Sequence, residues 1–165
     1  MSWRWAPFCL ALACAGPSQA TEADEPAPPR ADDVPCEHAA DVRVRGECLD
    51  PTGERDAAPA LGRIVAAMPE NPSGLGTPLP LPENAILRLE DADGDGVAWR
   101  VDRRVILDAH GAVLRVAGDY VGVRLTHLAR FSTIRDLTVE GRGPARGGVG
   151  LDVRTHGVRI DNLWV

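Results

Sequence analysis

The sequence of 165 residues contains no lysine, so all 18 of its basic residues are arginine. The 24 aspartate and glutamate residues outnumber them, which gives a net charge of −6. A basic surface for a phosphate backbone is therefore not expected, and no nucleic-acid partner is predicted. Aromatic residues make up 4% of the chain and charged residues 25%, which excludes both a membrane bundle and a wholly disordered polypeptide.

Proline is almost missing from the second half of the chain. Eleven prolines lie in residues 21–82, whereas Pro144 is the only one in residues 83–165. The length is that of roughly one domain. We therefore expect the ordered part of this domain to lie mainly in the second half.

Long hydrophobic runs are also missing. The apolar stretch at residues 6–15 is too short to span a bilayer, which takes about 20 helical residues, so no transmembrane segment is predicted. Small residues follow at the positions that a signal peptidase recognises. The pattern predicts a signal peptide over residues 1–20, cleaved after Ala20, and export to the periplasm or the extracellular space. A lipoprotein anchor at Cys14 is the alternative, because residues 11–14 resemble a lipobox with its first two positions exchanged.

Cysteine is scarce once the signal peptide is removed, since only Cys36 and Cys48 remain. An even pair in an exported chain predicts a disulfide. It would close a loop of about 13 residues and stabilise the fold by about 3 kcal/mol on the chain-entropy model. A metal site that includes His38 is the alternative, but it lacks a clear fourth ligand.

The exported chain divides into three segments by composition. Residues 21–35 are rich in proline and acidic residues and predict a disordered tether, because they offer little apolar surface to bury. Residues 36–85 are predicted to form an N-terminal cap that contains the disulfide loop and one helix. Residues 86–165 are predicted to form the coils of a repeat.

The helix of the cap is indicated by apolar residues at positions i, i+3, i+4 and i+7. These residues are Leu61, Ile64, Val65 and Met68. Asp56 is a suitable N-cap, Pro59 is tolerated in the first turn, and Pro69 is expected to end the helix. Residues 71–82 carry several proline and glycine turn signals and are predicted to be a loop.

Beyond the cap, the apolar residues follow the alternation of strands and the pattern repeats. Residues 121–125 (VGVRL) match residues 149–153 (VGLDV), 28 positions later. Residues 134–139 (IRDLTV) match residues 160–165 (IDNLWV), 26 positions later. A strand repeat of this length, with its insertion confined to residues 141–148, predicts a β-solenoid.

The repeat explains polar residues that could otherwise be taken for catalytic ones. Ile160 and Leu163 are three positions apart, so both cannot face the core from one straight strand. A bend at Asp161 and Asn162 would turn both inward, and these residue types tolerate left-handed backbone angles. Asp136 matches Asn162 in the repeat, so we predict a stacked corner ladder with a structural role.

Residues 56–165 resemble the start of a pectin-lyase-like right-handed parallel β-helix. The resemblance is carried by the helix, by residues 105–114 (VILDAHGAVL) and by the repeated pairs of segments. It implies an all-β fold in which an amphipathic N-terminal helix caps coils of parallel strands. The superfamily includes polysaccharide lyases, glycoside hydrolases, epimerases, phage tailspikes and non-enzymatic surface proteins. The resemblance therefore implies a polysaccharide or a cell-surface glycan as partner, and leaves the chemistry open.

One acidic segment has the spacing of an EF-hand-type calcium loop. Its oxygen ligands at positions 1, 3, 5 and 12 would be Asp91, Asp93, Asp95 and Asp102. Gly96 occupies the sixth position, but the twelfth is Asp rather than Glu, and Ala98 replaces a bulky aliphatic residue. The alternative is an Asp- and Gly-rich turn that leads into a strand, and these departures favour it. No other cofactor is predicted.

The sequence shows no catalytic set of residues. Its four histidines are scattered, and Arg135, Arg154 and Arg159 have no feature that distinguishes them from other exposed arginines. Trp164 is the best candidate for stacking on a sugar, although an interface or core role is preferred for it.

The last residue, Val165, lies on a predicted strand with no polar cap after it. We therefore expect that the fold is incomplete at the C-terminus, and the alternative is that the last coil docks onto another chain, by self-association for example. Two functions remain open. One is a secreted lyase or hydrolase of polysaccharides with its catalytic coils beyond residue 165, and the other is a non-catalytic cell-surface solenoid for adhesion or recognition.

Overall fold

A computed structural model describes residues 35–69, 74, 76–141 and 149–165 of the chain. The predicted signal peptide, the lipobox cysteine and the predicted tether as far as residue 34 lie outside the described residues. Most of the predicted insertion at residues 141–148 also lies outside them.

The described residues form one α-helix and eleven strands. In chain order these are β1 (Val42–Val44), β2 (Glu47–Leu49), α1 (Ala58–Ala67), β3 (Thr77–Pro80), β4 (Ile86–Leu89), β5 (Val97–Val101), β6 (Val105–Asp108), β7 (Val113–Val116), β8 (Val121–Leu125), β9 (Thr133–Glu140), β10 (Leu151–Val153) and β11 (Arg159–Trp164). A short 3-10 turn at His127–Ala129 joins β8 to β9.

Strands β3 to β11 form a parallel β-solenoid of about three turns with three faces. Face 1 consists of β3, β6 and the first halves of β9 and β11. Face 2 consists of β4, β7 and the second halves of β9 and β11, and face 3 consists of β5, β8 and β10. The prediction of a parallel β-helix with an N-terminal helix is confirmed.

The register of the strands confirms the repeats found in the sequence. Leu151 pairs with Val123, so β10 stacks on β8 with the offset of the first sequence match. Ile160 pairs with Ile134, so β11 stacks on β9 with the offset of the second sequence match. Equivalent apolar side chains are thereby placed directly above one another along the solenoid axis.

The core is built from columns of aliphatic side chains that point inward from the three faces. Because side chains alternate along a strand, every second residue reaches the interior. On face 1, Leu79, Leu107 and Ile134 are stacked and almost completely buried. Trp99 on β5 is the largest fully buried side chain among the described residues.

The helix α1 covers one end of this core. Its buried residues are Ala58, Ala60, Leu61, Ile64 and Val65, and it packs against β5 and β2. Most of the predicted apolar stripe is therefore correct, and Met68 is buried beside it. The N-cap prediction needs correction, because the N-cap residue is Ala57 and has no side-chain cap. Asp56 instead accepts hydrogen bonds at Oδ1 from the N–H groups of Ala58 and Glu90, both at 3.0 Å, and so ties the helix to the first coil.

The cap also contains an antiparallel hairpin that the sequence did not reveal. Strands β1 and β2 are joined by Arg45 and Gly46, whose φ angles of 49° and 85° are typical of a tight type I′ turn. Cys48 of β2 forms the predicted disulfide with Cys36, which precedes β1, and their Cα atoms are 5.8 Å apart.

The loop predicted for residues 71–82 was wrong in part, because β3 lies within it. Thr77 donates its N–H to the carbonyl of Arg104, just before β6, at 3.2 Å. Leu81 donates its N–H to the carbonyl of Asp108, at the end of β6, at 2.9 Å. Because backbone direction alternates along a strand, the nitrogen atoms of Pro78 and Pro80 face the unpaired edge. Proline lacks an N–H group, and this edge is where a strand tolerates that loss.

A column of left-handed corners joins face 1 to face 2. Its residues, Asn84, His110, Asp136 and Asn162, follow one another at equal intervals in the sequence and have φ angles between 49° and 56°. The Asn84 N–H donates to the carbonyl of His110 at 3.1 Å, and Asn162 Nδ2 donates to Asp136 Oδ1 at 2.8 Å. The predicted corner ladder is confirmed, and Asn84 and His110 extend it to four coils.

Candidate functional site

The acidic loop at residues 91–96 is held in shape by its own carboxylates. Asp91 accepts the N–H of Asp95 at Oδ1 (3.1 Å) and that of Gly96 at Oδ2 (2.8 Å). Gly94 and Gly96 have φ angles of 68° and 81°, which favour glycine. The aspartate and glycine pattern therefore has a local structural purpose, as the turn interpretation expects.

Asp95 is bound to an arginine of the following strand. Its Oδ2 accepts hydrogen bonds from Arg100 Nη2 at 2.6 Å and Nε at 3.0 Å, and its Oδ1 accepts the N–H of Val97 at 2.9 Å. The hydrogen bonds from Arg100 are the main reason that the pKa of Asp95 lies below its usual range. In the part of the chain that the structure describes, no three His, Cys, Asp or Glu side chains are grouped closely enough to hold a metal ion. Calcium binding here stays a prediction.

Three of the four predicted calcium ligands instead line an open groove beside the helix, which we call the cap groove. It lies between α1 and β5 and has a volume of about 400 Å³. Its lining residues are Ala58, Pro59, Gly62, Arg63 and Ala66 of the helix, Glu90, Ala92, Asp93 and Asp95 of the loop, and Val97, Ala98, Trp99, Arg100 and Asp102 of β5 and its end. Asp91, the fourth, does not line it.

The helix side of the cap groove is open because its residues are small. Ala58, Gly62 and Ala66 are spaced four residues apart and therefore lie on one side of α1. A Cβ atom added to Gly62 would meet no atom within 4 Å. The groove thus owes its width to small side chains at positions where larger residues would fit.

The polar wall of the cap groove contains two positioned guanidinium groups. Arg63 donates from Nε (3.0 Å) and Nη2 (2.8 Å) to Glu47 Oε2, and these hydrogen bonds raise the pKa of Arg63. Arg100 is held by Asp95 in the same manner. Each guanidinium carries five N–H donors, so both keep Nη1 donors for a ligand.

Two carboxylates of the cap groove remain unengaged. Asp93 and Asp102 are exposed, and neither makes a hydrogen bond or ion pair with any residue that the structure describes. The groove therefore offers acceptors at Asp93 and Asp102 together with donors at Arg63 and Arg100. This combination suits a neutral ligand that is rich in hydroxyl groups.

Trp99 lies beneath the cap groove with 1% of its surface exposed. Its indole Nε1 is buried and has no hydrogen-bond partner among the residues of the described ranges. Leaving a buried donor unpaired is costly, by roughly 1–3 kcal/mol. Trp99 thus provides an apolar base beneath the groove, with its Nε1 donor enclosed by the protein.

A second cavity, of about 450 Å³, lies on the side of face 2. It is lined by Gly53, Arg88, Arg115, Val116, Ala117 and Gly141. Arg88 is paired with Glu90, and Arg115 lies 3.3 Å from Glu140. Its charged groups are thus neutralised within the protein, and it offers fewer free polar groups than the cap groove.

The other arginines considered from the sequence form ion pairs on the solenoid surface. Arg154 donates to Asp152 at 2.8 Å, and Arg159 donates to Asp161 at the same distance. Arg135 lies 3.9 Å from Asp161. Of these three pairs only Arg135–Asp161 joins neighbouring coils, and nothing distinguishes these residues as catalytic.

Trp164 points outward from face 2 and is 69% exposed. Its Nε1 donates to Asn162 Oδ1 at 3.2 Å, so the ring stands beside the corner column. It is far from the cap groove in the stack of coils, since β11 is the last described strand of face 2 and β5 belongs to the first coil. The structure therefore does not combine Trp164 with the acidic loop in one site.

The fold and the groove define a parallel β-solenoid with an N-terminal cap and an open polar site at the junction. No protein-family model, curated protein or solved structure matches the chain. In the described part of the chain, no helix has the length and apolar character needed to cross a membrane.

Proposed function

We propose that the protein is an exported solenoid of the pectin-lyase-like type that binds a polysaccharide or oligosaccharide in the cap groove. The observation that carries the proposal is the set of free donors and acceptors on the groove wall, on Arg63, Arg100, Asp93 and Asp102. Ligand sites are typically concave, with an apolar lining and a few fixed polar groups that orient the ligand. The groove has this composition, with Trp99 at its base.

The dimensions of the groove suit a short segment of a sugar chain. A volume of about 400 Å³ lies in the range of small-molecule sites, and the groove is partly open to solvent rather than enclosed. An open groove admits an internal segment of a polymer as well as its end. The hydroxyl groups of a sugar both donate and accept, so one residue can contact a guanidinium and a carboxylate together.

The charge of the groove favours neutral sugars and amino sugars over uronic acids. Four carboxylates line it, on Glu90, Asp93, Asp95 and Asp102, against the guanidinium groups of Arg63 and Arg100. A polyuronate would bring further negative charge to a surface that already has an excess of it. We therefore expect neutral or amino-sugar oligosaccharides to bind more tightly.

The proposal is tested by isothermal titration with a panel of neutral, amino-sugar and uronic acid oligosaccharides. Gly62→Phe is the blocking variant, because the space above Gly62 is empty and a larger residue is tolerated in the helix. Ala67→Phe is the matched control, since Ala67 is an exposed residue of the same helix that does not line the groove. We expect Gly62→Phe to abolish binding and Ala67→Phe to leave it unchanged.

The polar wall is tested separately. Asp93→Ala and Asp102→Ala each remove a charged acceptor, and a hydrogen bond to a charged group contributes about 1.5–3 kcal/mol. Each variant should therefore weaken binding about tenfold or more. The proposal is wrong if no oligosaccharide of the panel binds. It is also wrong if the dissociation constant of a bound oligosaccharide is unchanged in Gly62→Phe and in both aspartate variants.

Hydrolysis of the bound sugar is a second candidate, because Asp93 and Asp102 are carboxylates without ion-pair partners among the described residues and line the same groove. Glycoside hydrolases use two carboxyl groups, one as the general acid and one as base or nucleophile. Release of reducing ends, lost in Asp93→Asn and Asp102→Asn, would support this activity. Binding without turnover would support a non-catalytic cell-surface solenoid.

Export is proposed on two grounds. The leader at residues 1–20 has the pattern of a signal peptide, and the Cys36–Cys48 disulfide belongs to an oxidising compartment. Mass spectrometry of the protein from the exporting host should show a chain that begins at Thr21. A lipid-modified chain that begins at Cys14 would support membrane anchoring, and an uncleaved cytoplasmic chain would contradict export.

A further inference from the structure

The turn that joins face 3 to face 1 between β8 and β9 holds an exposed aromatic ring on a strained backbone. Phe131 has a φ angle of 62°, in the left-handed region, where bulky residues are rare. The equivalent position of the next coil is Gly157, with a φ angle of 69°. Phe131 is 47% exposed, so burial does not explain why phenylalanine occupies this position. Strain of this kind is typical of residues that contact a ligand or a partner.

The ring of Phe131 is fixed by the coils on both sides of it. Arg104, in the coil before, donates from Nε to the Phe131 carbonyl at 3.0 Å, and its guanidinium lies over the ring, 5.4 Å from the centroid. His156, in the coil after, meets the ring edge to face at 5.4 Å. A Cβ atom added to Gly157 would clash with the ring, so this glycine makes room for it. The ring is therefore positioned, although much of it stays in contact with solvent.

The surroundings of the ring are apolar and basic. Leu128, on the 3-10 turn, is 56% exposed. Arg130 is exposed and makes no hydrogen bond or ion pair with any residue that the structure describes. Residues 126–135 contain no acidic residue, although the whole chain has a net charge of −6. We define the Phe131 corner as Arg104, Leu128, Arg130, Phe131 and His156.

The exposure of the Phe131 corner does not come from an unstacked coil. The turn between β8 and β9 lies between the turns at residues 102–104 and 154–158, which belong to the coils before and after it. The N–H of Phe131 donates to the carbonyl of His156 at 3.2 Å, and Ser132 Oγ accepts the N–H of Val105 at 3.0 Å. The coils on both sides are therefore present, and the exposed surface faces sideways, away from the solenoid axis.

We propose that the Phe131 corner binds the acidic, proline-rich segment of the same chain, residues 21–34. The segment carries five carboxylates and one arginine, so its charge is opposite to that of the corner. Its carboxylates can accept hydrogen bonds from the guanidinium groups of Arg104 and Arg130, which keep unused N–H donors. Charge complementarity therefore favours this segment as the occupant.

The prolines of the segment match the apolar part of the corner. Pro26 and Pro29 have the spacing of a PxxP motif, whose prolines contact exposed aromatic side chains in known recognition sites. Phe131 and Leu128 offer an apolar surface of this kind beside the arginines. The segment thus presents acidic and apolar groups in one stretch, as the corner requires.

Covalent attachment favours this segment over a free ligand of the same chemistry. It joins the described chain at Pro35, and its residues can span about 45 Å when extended. This length exceeds the diameter of about 35 Å that corresponds to the radius of gyration of a domain of this size. A binding segment on a short linker has an effective concentration in the millimolar range, so weak contacts suffice to hold it.

Paramagnetic relaxation tests the proposal. A nitroxide label is attached to Ala27→Cys in a 15N-labelled full chain that carries Cys9→Ser and Cys14→Ser, which leaves no other cysteine outside the disulfide. We expect the amide signals of Leu128, Arg130 and Phe131 to broaden much more than that of Thr138 on face 2. Sodium chloride at about 1 M should weaken the broadening, because it screens exposed charges.

The matched variants exchange one exposed arginine for glutamate in the same labelled chain. Arg130→Glu should reduce the broadening about two- to fivefold or more, which is the factor that an exposed ion pair contributes. Arg115→Glu makes the same change of charge on face 2 and should leave the broadening unchanged. Far-ultraviolet circular dichroism establishes that each variant is folded.

A mixed sample separates a contact within one chain from a contact between two chains. It contains 15N-labelled chain without nitroxide and nitroxide-labelled chain without 15N, and we expect no broadening in it. Equal broadening in the mixed sample would overturn the proposal in favour of a second copy. The proposal is also overturned if the signals of the Phe131 corner do not broaden more than that of Thr138, or if Arg130→Glu and Arg115→Glu have the same effect.

Discussion

The left-handed corner at Asp136 predicts an unusual order of stability for two small substitutions. Asp136 has a φ angle of 51° and accepts a hydrogen bond from Asn162 Nδ2 at 2.8 Å. Both Asp136→Ala and Asp136→Gly remove this acceptor. Only the alanine variant keeps a Cβ atom in the left-handed region, so glycine should be the more stable replacement.

The magnitude follows from two contributions. The hydrogen bond to Asn162 lies on the surface, and its loss should cost about 0.5–1 kcal/mol in either variant. An L-residue with a Cβ atom in the left-handed region costs about 1–2 kcal/mol relative to glycine. Asp136→Ala should therefore be about 1 kcal/mol less stable than Asp136→Gly, which corresponds to a difference in Tm of about 2–4 °C for a chain of this length.

Thr138 supplies the matched control two residues away. It belongs to the same strand, points outward, and is not in the left-handed region. There the usual order holds, with Thr138→Gly about 0.5–1 kcal/mol less stable than Thr138→Ala. Urea unfolding followed by far-ultraviolet circular dichroism measures all four variants. The same order of alanine and glycine at both positions would refute the corner geometry.

Three further predictions concern the cap and the acidic loop. Burial raises the pKa of Asp50, but hydrogen bonds from the Thr52 hydroxyl and from backbone N–H groups lower it to about 2. The ionised carboxylate of Asp50 therefore contributes its full stabilisation above about pH 4. About 2 kcal/mol of the free energy of unfolding is lost as the pH falls from about 4 through 2, and the Asp50→Asn variant should not show this loss in an acid titration. Reduction of the Cys36–Cys48 disulfide should lower the free energy of unfolding by about 3 kcal/mol in urea titrations, and no change would contradict this. Asp91→Ala removes two hydrogen bonds from the loop and should destabilise the fold by about 1–2 kcal/mol with or without calcium, whereas a loss seen only with calcium would favour a metal site.

The solenoid could be predicted from the sequence because each of its strands is indicated by a short apolar segment, and these segments recur at regular intervals. The match of residues 134–139 with residues 160–165 requires stacked strands, and the three-residue spacing of Ile160 and Leu163 requires a bend between them. The bend was confirmed at Asn162 and at Asp136. The column of corners could have been extended to Asn84 and His110, because these residues continue the sequence spacing of Asp136 and Asn162. They were missed because the matched apolar segments of the sequence do not include them.

The errors in the cap have physical reasons that a single sequence conceals. Pro78 and Pro80 indicated a loop because proline usually interrupts a strand, yet their nitrogen atoms face an unpaired edge. Asp56 has the residue type of an N-cap, but its carboxylate also accepts the backbone N–H of Glu90 in the first coil. These outcomes depend on which edge is open and which coil lies nearby.

The cap groove could not be predicted because it depends on how the helix packs against β5. Gly62 and Arg63 follow one another in the sequence with no catalytic pattern, and the acidic loop lies much further along the chain, beyond β3 and β4. The spacing from Asp91 to Asp102 did indicate the region of the site. It did not show that Asp91 turns to the backbone of its own loop while Asp102 faces the groove.

Mapping of the bound sugar by amide chemical shifts tests the central claim most directly. A 15N-labelled chain is titrated with an oligosaccharide that binds in calorimetry, and the shifted amide signals are located on the structure. We predict that the signals of Gly62, Ala98 and Asp102 shift, while that of Thr138 on face 2 does not. Shifts confined to faces 1 and 2, with the groove signals unmoved, would contradict a saccharide site between the cap helix and the first coil.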